Sequence, residues 1–199
     1  PYFDNIAYSE LAQFFAPWLK SLGIIEGRAR SEVTSESLVA CKHQTDSVRR
    51  YTTGLGEAFK EMARVLRPKG IVAFSYRHTD ALAWHALAEA IATTDLHVTR
   101  VLPLPGEVGM GLHGQGERGL WDAVFILRKG RQHAIGDLSV VPEDIDSATA
   151  AVEDCRERYG TMAIPFNDID AAALRRAFLV GAALPKTRKM DCSGAISLE

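Results

Sequence analysis

Phe59-Lys60-Glu61-Met62-Ala63-Arg64-Val65-Leu66-Arg67-Pro68-Lys69-Gly70-Ile71-Val72-Ala73-Phe74-Ser75-Tyr76 is the stretch on which the fold turns. Leu55, Phe59, Met62 and Leu66 recur at helical spacing and line one side of a helix. Arg67-Pro68-Lys69-Gly70 stops that helix and turns the chain. Ile71–Tyr76 comes at once as an apolar run without alternation, the pattern of a strand buried on both faces of a parallel sheet. Helix, sharp turn and buried strand in that order predict a layered α/β protein.

Downstream, Thr79 or Asp80 is placed to cap a helix whose stripe is Trp84, Leu87, Ala88 and Ile91. A second strand is predicted from Leu96 to about Leu104, closed by Pro103 and Pro105, and a third over Leu120–Leu127, ending at Arg128-Lys129-Gly130. A glycine-rich loop from Gly106 to Gly119 joins them with no helical pattern, so these two strands should pair antiparallel. Beyond Gly130 the character changes to two helices. One runs from Pro142 to Tyr159, with Ile145, Ala148, Val152, Cys155 and Tyr159 in register, and one from Asp168 to Ala183. The expected division is therefore 1–130, an α/β domain, and 131–199, a helical C-terminal appendage.

Upstream, Asn5 to about Ser21 reads as a helix with a wide apolar face. Its Phe14, Phe15 and Trp18 are expected in the core, and Pro17 bends or ends it early. Gly23 to about Thr45 is mixed and polar, the composition of a loop-like insertion.

Composition excludes several classes. The 199 residues carry a formal net charge of -2, with no global basic signature of nucleic-acid binding. No apolar run approaches the roughly 18 to 20 residues that cross a bilayer. Cys41, Cys155 and Cys192 form no CxxC pair or disulfide framework, which favours a reducing, cytoplasmic setting. The six histidines show no HxxxH or HxH spacing, so no metal site is expected. Leu198-Glu199 has the look of a cloning scar and says nothing about the fold.

Three patterns together resemble a known family. They are Pro1-Tyr2-Phe3-Asp4-Asn5 with Tyr8-Ser9-Glu10-Leu11 and Phe14–Lys20 close behind, the Phe59–Phe74 passage, and Gly111-Leu112-His113-Gly114-Gln115-Gly116 leading to Ala123–Lys129. The second alone is common to class I AdoMet-dependent methyltransferases. In combination, residues 1 to 130 resemble the C-terminal half of large adenine-specific DNA methylases that carry a zinc-ribbon-like region elsewhere. The resemblance implies a partial class I (Rossmann-like) sheet of about three strands with flanking helices, followed by C-terminal helices.

Its implied chemistry is methylation of an exocyclic base amine, adenine N6 foremost, with cytosine N4 served by the same Asp-Pro-Pro-Tyr tetrapeptide. An exocyclic amine is a poor nucleophile because its lone pair is delocalised. The family flips the base out of the duplex, stacks it on an aromatic side chain and accepts hydrogen bonds from its amine. Methyl transfer from the AdoMet sulfonium then depends chiefly on positioning. Pro1 and Tyr2 match the second proline and the stacking aromatic, and are the catalytic candidates. The acidic residue and first proline have no counterpart, and no Met precedes Pro1, so the expectation is the back half of an enzyme cut inside its active site.

Substrate-binding candidates are Asp4, Asn5, Tyr76, His78, His113 and Gln115. Asn5 is equally placed to cap the helix after it, and Tyr2 to pack on that helix. Tyr76 and His78 close a predicted parallel strand, the edge at which open α/β sheets bind ligands, while His113 and Gln115 sit in the glycine-rich loop. Gly109-Met110-Gly111-Leu112-His113-Gly114 has the glycines of a dinucleotide cradle without its strand-to-helix context. The AdoMet loop is thus expected outside this sequence, with no tight cofactor binding by this chain alone, and DNA as the partner of the intact enzyme. The resemblance also sets the Ile71–Tyr76 strand beside one that is missing here, so its edge is expected to be covered by homo-oligomerisation or by an internal segment folded over it. The alternative reading is a non-catalytic remnant or interaction module built on the same half-sheet.

Overall fold

The computed structural model describes residues 3–4, 8–24, 26, 38–40, 46–106, 119–130, 145–161 and 165–187. Pro1, Tyr2, Asn5, His113, Gln115, Cys41 and Cys192 lie outside them, as does most of the insertion from Gly23 to Thr45. The elements are α1 (Tyr8–Ser21), α2 (Ser47–Val65), β1 (Val72–Tyr76), α3 (Ala81–Ala92), β2 (Leu96–Pro105), β3 (Trp121–Lys129), α4 (Ile145–Tyr159) and α5 (Asp168–Thr187). Two compact units, Pro1–Gly54 and Leu55–Glu199, divide within α2.

In the first unit α1 runs through Pro17 to Ser21. It closes with Gly23 at φ +68°, the Gly23 N–H donating to the Lys20 carbonyl (3.0 Å) and the Ile24 N–H to that of Leu19 (3.0 Å). These two bonds form the Schellman closure that a left-handed glycine permits. Phe14, Phe15 and Trp18 are 69, 57 and 65 % exposed, which corrects their expected place in the core. Helical spacing shows which residues share a face; it does not supply a layer to cover them. Phe3 is the buried aromatic here, edge-on to Tyr51 at 5.0 Å between ring centroids.

The second unit is mixed α/β, built on a three-stranded sheet of order β1-β3-β2 in which both neighbouring pairs are antiparallel. The Arg67 turn forms as expected, with the Gly70 N–H donating to the Arg67 carbonyl at 2.8 Å. β1 then departs from expectation. Its neighbour is the antiparallel β3, in register Val72↔Leu127, Phe74↔Phe125 and Tyr76↔Ala123. It is also not buried on both faces, since Ala73 and Ser75 are exposed. Alanine and serine lose little by facing water, so an unbroken run containing them does not require two covering layers. Because β1 and β2 each run antiparallel to β3, they are parallel to one another and are joined by the α3 crossover.

The covered face carries Leu96, Val98 and Val101 of β2, Trp121, Ala123, Phe125 and Leu127 of β3, and Phe74 and Tyr76 of β1. Phe74 stacks on Phe125 at 5.2 Å and meets Phe59 of α2 at 5.3 Å. Trp84, Leu87 and Ile91 of α3 have no exposed surface, and each such side chain contributes roughly 1.5–3 kcal/mol of apolar burial. α5 packs on α3, β2 and β3, and α4 packs on α5 through Ala148, Val152 and Cys155. Ile145, expected in that stripe, is half exposed. β2 holds a bulge between Val98 and Arg100, where the Thr99 hydroxyl donates to the Ile126 carbonyl at 3.0 Å. On the opposite face Ala73, Ser75, Leu102 and Leu104 are exposed.

Candidate functional site

The polar groups of the second unit gather where β1 ends and β3 begins. Arg77 leaves β1 and donates from Nη1 to the Gly119 carbonyl at 2.8 Å, with Nε 3.4 Å from Asp122 Oδ1. The Gly106 N–H donates to the Leu120 carbonyl at 2.7 Å, so the strands flanking residues 107–118 are pinned together at their roots. Both root glycines are tightly surrounded. A Cβ at Gly106 would lie 3.2 Å from both Arg77 Nη1 and Asp122 Oδ1, and one at Gly119 3.1 Å from Asp170 Oδ1. The Arg77–Asp122 pair is partly exposed and contributes little stability by itself. Its effect is to fix where the loop leaves the sheet.

Asp170 completes this corner from the far end of the sequence. It is 1 % exposed, and its Oδ1 accepts from the backbone N–H groups of Leu120 (2.6 Å) and Trp121 (2.9 Å). Its Oδ2 accepts from the Asn167 N–H (3.1 Å), while the Asp170 N–H donates back to Asn167 Oδ1 (3.0 Å). The last two bonds are a reciprocal capping box at the start of α5. The first two give the same carboxylate a second task, holding the start of β3. Asn167-x-x-Asp170 was a readable signal for the cap; nothing local announced the partners some fifty residues away. Trp121 adds an indole N–H to the Pro165 carbonyl (3.2 Å) and ring contacts to Tyr159 and Phe166.

Each expected site residue within the described region has a definite place. Tyr76 is buried, donates its hydroxyl to the Ala83 carbonyl at 3.1 Å and lies edge-on to Trp84 at 5.0 Å. It joins β1 to α3 as part of the core. His78 is half-buried; its Nδ1 accepts from the Asp80 N–H (2.9 Å) and its carbonyl from Trp84 Nε1 (2.9 Å). Asp80, rather than Thr79, caps α3, accepting from the Leu82 N–H at 2.9 Å. The Thr79 carbonyl accepts from Arg176 Nη1 of α5 at 3.1 Å. Asp4 is half-buried in the first unit. The structure thus brings the exit of β1 to the roots of the segment holding His113 and Gln115, though those two residues lie outside the described region.

Among the described residues, β1 to α3 is the strand-to-helix turn that could be tested as a nucleotide cradle. It lacks the features of a phosphate cradle. The turn Arg77–Asp80 contains no glycine, the Asp80 carboxylate already takes an N–H of the first helical turn, and the His78 and Thr79 carbonyls are engaged. No cluster of metal-ligating side chains occurs among the described residues, and no helix there is long and apolar enough to cross a membrane. Burial, reinforced by Asp154, pushes the Cys155 thiol up to about 11, the state of an inert structural cysteine.

Fold and site together define a mixed α/β unit with a three-stranded antiparallel sheet, a parallel crossover through α3 and a polar corner at the exit of β1. No family model, curated protein or solved structure matches the chain.

Proposed function

We propose that this chain is the C-terminal part of an AdoMet-dependent DNA methyltransferase acting on an exocyclic base amine, adenine N6 foremost, and that the chain alone is inactive. The observation that carries the reading is the Phe59–Phe74 passage together with the crossover after it. A helix, the Arg67–Gly70 turn and β1 lead through α3 into a strand parallel to β1, with β3 inserted antiparallel between them. A parallel pair joined by a helical crossover is the repeating step of a doubly wound sheet, and such sheets often carry an antiparallel strand. The corner formed by Arg77, His78, Asp122 and the roots of the 107–118 segment lies at the C-terminal end of β1. That end is where open α/β sheets bind substrates.

In this reading Tyr2 stacks on the flipped base, Pro1 belongs to the tetrapeptide, and the loop with His113 and Gln115 faces the DNA. Tyr76 supports the corner from within, buried and donating its hydroxyl to the Ala83 carbonyl. Cofactor binding and methyl activation belong to a glycine-rich half that these residues do not supply.

The test has two arms. Calorimetric titration of the 199-residue chain with AdoMet should give no binding tighter than about 1 mM, equivalent to roughly 4 kcal/mol. Sequencing the DNA upstream of the Pro1 codon should reveal an in-frame Asp-Pro preceded by a glycine-rich loop. Micromolar AdoMet binding would displace the cofactor site from where this reading puts it. An upstream frame without Asp-Pro would remove the methylase reading altogether.

A further inference from the structure

Local bonds tie the turn from β1 into α3. The His78 carbonyl accepts from Trp84 Nε1 at 2.9 Å, and the Asp80 carboxylate accepts from the Leu82 N–H at 2.9 Å. Arg176 of α5 adds a tie from 97 residues beyond Thr79, its Nη1 donating to the Thr79 carbonyl at 3.1 Å. That carbonyl shares a peptide with the Asp80 N–H, which donates to His78 Nδ1 at 2.9 Å. No cis peptide bond occurs among the described residues, so the two groups of this planar unit point in opposite directions. Arg176 holds its carbonyl end, and the His78 ring takes its N–H end.

We infer that Arg176 is a positioning residue for His78: through the Thr79–Asp80 peptide it fixes the imidazole with Nδ1 unprotonated and the proton on Nε2. A ring nitrogen that accepts an N–H carries no proton of its own, and a neutral imidazole then has its proton on the other nitrogen. The guanidinium charge polarises the peptide it binds, and a polarised amide is a better donor at its far end. Rotation of the peptide plane would break the bond to Nδ1 without moving β1 or α3, and the hold on the Thr79 carbonyl opposes that rotation. The ring consequently meets a partner at Nε2 as a hydrogen-bond donor, and its neutral form has no lone pair left to take a proton. In the methylase reading, on which this last step alone rests, His78 contacts substrate as a donor and not as a general base. α5 thus shapes the corner as well as covering the sheet.

NMR of the isotope-labelled 199-residue chain at about pH 8, where an ordinary imidazole is neutral, tests this without AdoMet or DNA. In the unmodified chain a coupling through the hydrogen bond should link the Asp80 amide nitrogen to His78 Nδ1, and Nε2 should be the protonated ring nitrogen. Arg176→Met keeps an unbranched side chain and removes its donors. The coupling should then fall, and exchange of the Asp80 N–H should rise on the order of fivefold. Arg176→Lys keeps a cationic donor and should restore both. Leu87 and Ile91, buried in α3, should exchange as in the parent, because the effect is confined to the turn. No coupling in the parent, a protonated Nδ1, an Asp80 amide indifferent to Arg176→Met, no recovery in Arg176→Lys, or equal acceleration at Leu87 and Ile91 would each overturn the inference. Failure of the methylase reading would show instead in the sequence upstream of Pro1 and would leave these signals unchanged.

Discussion

Removing the Asp170 carboxylate should unfasten the C-terminal helices from the sheet. In Asp170→Ala, three backbone N–H groups lose their acceptor: Leu120, Trp121 and Asn167. Trp121 is buried, so its N–H is left without water, at about 1–3 kcal/mol. Leu120 and Asn167 are half-buried, and water recovers part of their loss, leaving about 0.5–1 kcal/mol each. Against this, a carboxylate 1 % exposed and held by backbone N–H groups bears a desolvation cost of its own, and its removal returns some of that. The net expectation is about 3 kcal/mol, or a fall in Tm of roughly 6–12 °C for a unit of this size.

Asp170→Asn retains one acceptor oxygen for Leu120 and Trp121 but turns an amide N–H₂ toward the Asn167 N–H, so about half the loss is expected. Urea and thermal unfolding measure both variants, and amide exchange at Leu120 and Trp121 should accelerate in step. An Asp170→Ala variant within about 0.5 kcal/mol of the parent would mean that desolvation cancels the hydrogen bonds, and the account would fail. Equal losses in the two variants would sink it as well, since the number of retained bonds would not matter.

Other consequences are smaller in scope. Cys155, raised from 9.0 to about 11 chiefly by burial, should react with a thiol reagent at pH 8 on the order of a hundredfold more slowly than in the unfolded chain. The same shift favours the protonated fold, so its contribution is fully present below pH 9 and is lost as pH rises toward 11, which unfolding at graded pH will register. Gly130 sits at φ +72° with open space around it, so Gly130→Ala should cost about 1 kcal/mol through backbone strain alone, measured by chemical denaturation. Tyr76→Phe keeps the ring on Trp84 and removes the bond to Ala83, lowering stability by about 0.5–1 kcal/mol in the same assay; a loss above about 2 kcal/mol would contradict its place as described.

The site was only partly legible. Polar residues at the exit of a strand are visible in any sequence, and His78 was among them. The groups that meet there were not, because Gly119 and Asp122 reach Arg77, Arg176 reaches Thr79, and Asp170 reaches Trp121, all from distant segments. Tyr76 looked like its neighbours in sequence; a helix laid across β1 made it a core residue.

Local structure was written in the chain itself. Helical spacing and the Pro-Lys-Gly turn place α2, β1 and the break between them, because hydrogen bonds within a turn or helix depend on neighbours a few residues away. The loop without helical pattern correctly implied that β2 and β3 pair antiparallel. Long-range packing chose the rest: that β3 enters between β1 and β2, that Ala73 and Ser75 face water, and that the Phe14–Trp18 face is exposed. It also gave one buried carboxylate both a helix and a strand to hold. These are choices among partners far apart in the chain. Apolar periodicity records that a face seeks cover, and only the folded arrangement determines which face receives it.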